Sequence, residues 1–386
     1  LLLIKCLAGI AVGLMYTYYY PGGDTFVFHE RAGELAVLAR ADIKAYLTFW
    51  VTSDQGIIDL GYTWSPNIFF IKIVSLFSLF TGHNYWLTSL YFSLISFSGL
   101  WHLALLLSRQ WSQNLLAVLL ALFCVPTVLF WSSGLTKESL TLALIASILF
   151  TFLNDFLDIK KITFLGFLKV FLLFVVLWQI RYYYAGLLIV VIFASWVTRY
   201  IKTILRKEHL AGLLSIFCFS CFILFFAVSF LHPNFCMSRI LEVIVENHDA
   251  IIMRSRPRGM IIFSELQPDI VSITKNLPLA FFSAFFRPFI GENASLIYLI
   301  PGFEGLALMV LAPWSIFQKQ VQPDGRLSIL IIATIAYCII LGCFLALSAP
   351  NFGALVRYRI GFMPFLYLLV MVNNPWLKKQ SERMFH

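Results

Sequence analysis

The sequence predicts an all-α polytopic membrane protein with about ten transmembrane helices and further helices lying on its outer face. Two bulk properties and one pattern predict it. Hydrophobic residues fill 60% of the 386 positions, with a mean hydropathy of +0.87. Charged residues are only 12%, against roughly a quarter in a soluble domain. The basic residues also segregate to alternate linkers, as membrane insertion requires.

Hydropathy places spans near 1–20, 85–108, 114–132, 139–154, 162–180, 183–199, 210–231, 295–317, 327–348 and 359–373, in one integral domain covering 1–386. Leu1–Tyr20 reads as a retained span, too long and too aromatic at its end for a cleaved signal. Ile68–Gly82 carries Lys72 and is shorter than the roughly 20 residues a crossing needs, so it reads as a surface helix. Both termini are then cytoplasmic. Inner linkers carry Arg109, Lys160, Lys161, Arg199, Lys202, Arg206, Lys207, Lys319 and Arg326, and the tail adds Lys378, Lys379 and Arg383. Two long segments stay outside, 21–84 and 232–294. This asymmetry absorbs most of the net charge of +9 and removes it as a sign of nucleic-acid binding. Six of the seven cysteines fall in apolar stretches, and the CxxC spacing of Cys218 and Cys221 reads as helix packing.

The outer segments hold the residues suited to chemistry. Asp24 follows Gly22-Gly23 and opens a helix expected over Asp24–Ala39. It is either an N-cap or a general base within reach of an acceptor hydroxyl. His29 and Glu30 are adjacent, diverge by about 100° on a helix, and are therefore no metal pair by spacing. Lys137 and Glu138 lie in a short external turn, facing either headgroups or a cavity as ligand groups, or simply beside a Thr136 or Ser139 that caps the next helix. Arg181, before three tyrosines, either snorkels in an interfacial belt or meets an anion. Arg256 and Arg258 belong to a basic cluster, Arg254–Arg258, ahead of the Phe-rich stretch Leu277–Ile290, which reads as surface-lying.

Arg357 and Arg359 stand before the last span on the side that positive-inside bias leaves poor in cations. Two residues apart, they point nearly opposite ways, one toward a phosphate and the other toward headgroups or a carboxylate. Glu304 lies within an expected span, where Pro301, Gly302 and Gly305 suggest a local helix break facing a polar cavity. Gly9 and Gly13 form a GxxxG packing signal. No phosphate-binding glycine loop, HExxH or GxSxG motif occurs.

This layout resembles the GT-C superfamily of membrane glycosyltransferases, especially bacterial relatives of protein mannosyltransferases and lipid A aminoarabinose transferases. Asp24 with Phe28 matches the acid and aromatic that begin the family's first external loop, with Thr25 where a second acid is common. Ser65-Pro66-Asn67 and the helix after it are similar to its Pro-led interfacial helix. Pro126–Leu140 resembles the next external turn, with Lys137-Glu138 in place of Pro-Asp. Asn351–Pro364 is similar to segments of polysaccharide-building enzymes.

The resemblance implies inverting transfer of a sugar from a polyprenyl-phosphate donor to a glycan, lipid or protein acceptor, at the outer face of a bacterial inner membrane. Asp24 would be the base. Arg357 and Arg359, with Arg181 or the Arg256 and Arg258 cluster, would hold the donor phosphate, and membrane lipid would surround the site. Lys137, Glu138, Glu30, His29 and Glu304 are further candidates. No cofactor is assigned, and a divalent metal is left open. The rival readings are an O-antigen or exopolysaccharide polymerase, and a flippase or transporter of lipid-linked sugars.

Overall fold

Runs of apolar residues punctuated by Gly, Pro and Asn fold the described residues into helices, with a single isolated bridge between Met260 and Asn351 and no strand among them. This computed structural model describes the chain except residues 21–22, 63–64, 112–113, 160, 206–208, 231–235, 256–258, 294, 318–324 and 386. Among the described residues, six helices are long and apolar enough to cross a membrane: Tyr85–Gln110, Lys137–Phe156, Phe164–Leu205, Leu210–Val228, Leu296–Ser315 and Gly325–Ser348. A seventh is added if Phe352–Gly361 and Met363–Val372, bent by 63°, count as one span. The chain is a polytopic, all-helical membrane protein.

Several expected spans take another form. The first is the 17-residue helix Leu2–Tyr18. Residues 114–132 are not one helix: Leu115–Leu119 passes into a π-helix, Leu120–Cys124, and Val125 is extended (φ −65°, ψ 115°). Pro126 is the cause, because its ring disfavours helical backbone in the residue before it. Phe164–Leu205 is two helices joined at a kink where Arg181 is non-helical (φ −150°, ψ 75°), and the kink falls between the spans expected at 162–180 and 183–199. The break expected at Glu304 does not occur; Leu299–Phe317 continues through it. Pro301 sits in the first turn, where its missing N–H costs nothing. Gly302 and Gly305 instead allow close packing, since a Cβ on Gly305 would lie 2.2 Å from the Phe286 carbonyl oxygen.

The chain divides into two compact units that interleave in sequence. Unit 1 comprises 1–103, 129–151 and 162–182, and unit 2 comprises 104–128, 152–161 and 183–386. Unit 1 contains α1 (Leu2–Tyr18), α2 (Asp24–Ala41), α3 (Ile43–Thr52), α4 (Ser65–Thr81) and most of α5 (Tyr85–Gln110). The helix expected from Asp24 is α2, and the helix expected over 68–82 is α4, whose Lys72 is buried. The turn through Gly82 and His83, both left-handed (φ 63° and 59°), folds α4 back on α5, where Phe77 meets Phe92 at 5.2 Å. Gly9 and Gly13 are close-packing positions: a Cβ on them would lie 2.4 Å from the Ser93 hydroxyl and 2.6 Å from the Trp86 ring. Lys72 of α4 donates to Trp50 O (2.9 Å) and Ser53 Oγ (2.7 Å), placing a cation at the C-terminal end of α3.

In unit 2, Gly325–Ser348 packs against Ile270–Phe286, Met237–Arg254 and Leu210–Val228. The C-terminal helix Pro375–Phe385 packs on Leu115–Leu119, where the Ser381 hydroxyl accepts from Leu116 N at 3.5 Å.

One contact in unit 1 yields a test. A Cβ on Gly99 would stand 2.7 Å from the Ala143 carbonyl oxygen and 3.0 Å from its Cα. Ala is favoured over Gly in a helix by about 1 kcal/mol, but backbone cannot yield as a flexible side chain does. Gly99→Ala is expected to lower stability by about 1–2 kcal/mol net, read as a lower melting temperature in detergent; a raised one contradicts the packing.

Candidate functional site

The site of unit 1 is built upward from a buried turn. Residues Ser132, Ser133, Leu135, Thr136, Lys137, Glu138 and Ser139 are all buried. Gly134 takes the left-handed conformation the turn needs (φ 73°), and its N–H donates to Ser93 Oγ at 2.9 Å. The Thr136 hydroxyl accepts from Ser139 N at 3.1 Å and so caps the helix Lys137–Phe156, as one reading of the turn expected. Glu138 then lies in the first helical turn, where backbone N–H groups favour an acid.

The turn therefore does not lie open to headgroups. Lys137 hydrogen-bonds Asn67 Oδ1 at the start of α4, and its ammonium sits over the rings of Phe28 (4.9 Å) and Phe70 (5.9 Å). Arg181 is 7% exposed and pairs with Glu138 Oε1 at 2.6 Å, so it does not snorkel. Its departure from helical φ/ψ accompanies this pairing. Lys5 of α1 is 1% exposed and donates to Ser132 Oγ at 2.5 Å.

Helix α2 is seated on this floor. Gly23 takes the cap position (φ −71°, ψ 164°), so Asp24 is the first helical residue and is exposed. Thr25 points down, donating to Leu135 O at 2.6 Å. That occupies its one proton, so at 3.0 Å Tyr85 is the donor to Thr25. One turn on, Phe28 meets Tyr62 (5.8 Å) and Phe70 (5.3 Å). Burial chiefly, and the charge of Asp24 second, raise the Tyr62 hydroxyl above its ordinary pKa, with Arg31 opposing. Asp24, Tyr62 and Arg31 are thus electrostatic neighbours.

His29 is buried and stacks on His83, with centroids 4.1 Å apart and planes within 3°. Its Nε2 faces His83 O at 3.1 Å and so carries the proton; Nδ1 has no hydrogen-bond partner among the described residues. Glu30 is exposed. No group of three His, Cys, Asp or Glu among the described residues is placed to hold a metal.

The remaining candidates belong to unit 2. Arg359 is fully buried; it donates to Arg287 O (3.0 Å) and pairs with Glu304 Oε2 at 3.4 Å. Glu304 also accepts from Thr127 N and Thr127 Oγ1, both at 2.6 Å, and Tyr367 donates to its carbonyl at 2.9 Å. Arg359 is thus the arginine that meets a carboxylate. Arg357, on the short helix Phe352–Tyr358 capped by Asn351, is half-buried. Arg256 and Arg258 lie outside the described residues. Asp24 and Arg357 fall in different units.

Sequence reasoning missed Lys5, Tyr62, Thr127 and His83. Lys5 alone carried a signal, an ammonium in an apolar run. Comparison with known proteins adds nothing to this geometry: no family model matches the sequence, and neither a curated protein nor a solved structure is similar to it.

The His29 pair yields a pH test. Burial chiefly, then the neighbouring His83, push His29 down from 6.5 to about 4. Between those values the unfolded chain binds a proton that the folded one refuses. The stability it contributes is complete above pH 6.5 and is lost as pH falls toward 4. Melting temperature in detergent is expected to drop over that window, with a shallower drop in His29→Gln; equal slopes in both proteins contradict the assignment.

Proposed function

We propose that the chain is a membrane glycosyltransferase of the GT-C type, moving a sugar from a polyprenyl-phosphate donor to an acceptor hydroxyl at the outer face of the membrane. The observation that carries this reading is the seating of Asp24. Asp24 is an exposed residue at the first position of α2 while the next residue is fastened to the buried turn. A general base must be open to substrate yet held in orientation, and that combination supplies both.

In this reading transfer is a single displacement. The acceptor oxygen attacks the anomeric carbon as its proton passes to Asp24. The bond from that carbon to the phosphate oxygen breaks, and polyprenyl phosphate leaves, inverting the anomeric centre. The sequence resemblance, and no geometry, gives Arg357 the charge that develops on the leaving phosphate, for which a planar two-pronged donor is suited. Arg359 acts through position: its pairing with Glu304 fixes the backbone two residues beyond Arg357. Arg181, paired with Glu138, serves the floor beneath α2. Lys137 is likewise a support of that floor, through Asn67 and Phe28.

The test uses purified protein in proteoliposomes, offered polyprenyl-phosphate-linked hexose, pentose and aminopentose donors with membrane extract as acceptor. Release of polyprenyl phosphate is the readout. Asp24→Asn is expected to cut release by about 10²–10⁴-fold with the melting temperature unchanged. Full release by that variant removes Asp24 from the chemistry.

A further inference from the structure

Another face of α2 is shaped as a ligand site. Glu30, Gly33, Glu34, Val37 and Arg40 stand at i, i+3, i+4, i+7 and i+10, one stripe of a helix. With Ser78 of α4 and His83 they line a cleft of about 280 Å³. Six residues of helix take Asp24 to Glu30, a rotation of about 240° beyond one full turn, so this stripe is not the edge that carries Asp24.

The floor of the cleft is made, not incidental. A Cβ on residue 33 would lie 2.1 Å from the His83 ring, so glycine there lets the imidazole lie against α2. Ser78 is 0% exposed, and its hydroxyl has no hydrogen-bond partner among the described residues although it lines the cleft. A buried hydroxyl left without a partner is costly, and a ligand hydroxyl in the cleft is suited to supply one.

The lining selects the class of ligand. Glu30 and Glu34 offer acceptor oxygens, Arg40 offers donors, and Val37, 64% exposed, offers an apolar contact. Glu34 pairs with Arg31 at 2.9 Å, and Arg40, which donates to Leu79 O at 3.2 Å, adds a second positive charge to balance the two carboxylates in number. Two carboxylates repel a phosphate. Glu30, Glu34 and His83 are not placed as a group to hold a metal ion. A neutral ring bearing several hydroxyls and an apolar C–H face satisfies donors, acceptors and Val37 together.

We infer that this cleft binds a neutral carbohydrate, at a subsite separate from Asp24. The inference goes beyond the proposed transfer and rests on it only for the ligand's role as part of the acceptor glycan. Binding itself requires no chemistry at Asp24.

The experiment is titration calorimetry, with saturation-transfer NMR, on the full chain in nanodiscs. The probes are neutral tetrasaccharides of glucose, mannose and N-acetylglucosamine, an acidic tetragalacturonate, and inorganic phosphate. At least one neutral series is expected to bind. Glu30→Ala and Ser78→Ala should each weaken it about tenfold, and Val37→Trp should block it. Glu30 and Val37 are exposed, so those variants read binding even if Ser78→Ala loosens the fold. The inference is overturned if no neutral saccharide binds, if phosphate or the acidic glycan binds in preference, or if Glu30→Ala and Val37→Trp leave binding intact. Saccharide binding without transfer from any donor removes the transferase and leaves the cleft standing; transfer without saccharide binding does the reverse.

Discussion

A charge enclosed among apolar helices persists only if another group answers it. Among the described residues, each unit holds such a buried carboxylate–guanidinium pair: Glu138 with Arg181 at 2.6 Å in unit 1, and Glu304 with Arg359 at 3.4 Å in unit 2. Around the first, the buried lysines also have partners: Lys5 finds Ser132, Lys137 finds Asn67 and two aromatic faces, and Lys72 finds the end of α3. These contacts join segments far apart in sequence. They give a polar floor its fixed shape inside an otherwise greasy bundle.

The rest of unit 1 takes its geometry from that floor. Thr25 reaches the carbonyl of Leu135, Phe28 lies under Lys137, and α2 is thereby oriented with Asp24 at its open end. The stripe bearing Glu30 and Glu34 follows from the same orientation, because one helix has one rotation. In unit 2 the pair does a comparable job where the last apolar segment bends by 63°. Arg359 spans the bend's approach and bonds both Glu304 and the Arg287 carbonyl. Backbone freed by a break in an apolar helix needs such neighbours to hold it.

What the sequence made legible was whatever depends on local pattern. The start of α2 at Asp24, the separate helix α4, the Thr136 cap and the close-packing Gly9 and Gly13 each have short-range signatures, and the structure has them. The membrane class followed from composition alone. The enclosure of Lys137, Glu138 and Arg181 was not legible. Partners 43 and 55 residues apart leave no mark on hydropathy, which averages along the chain. Gly302 and Gly305 show the same limit: glycine beside proline suggests a break, but whether it serves a break or a close contact depends on the neighbour, here Ile290 for Gly302 and Phe286 for Gly305.

The dependence on paired buried charge is measured most directly by a double-mutant cycle at Glu138 and Arg181, with unfolding followed in mixed micelles. Glu138→Gln and Arg181→Met are each expected to cost about 3–5 kcal/mol, because each strands a buried partner. The double variant should cost well under their sum, since no charge is then left unanswered. Losses that simply add would mean the two side chains do not hold each other, and the floor beneath α2 would need another foundation.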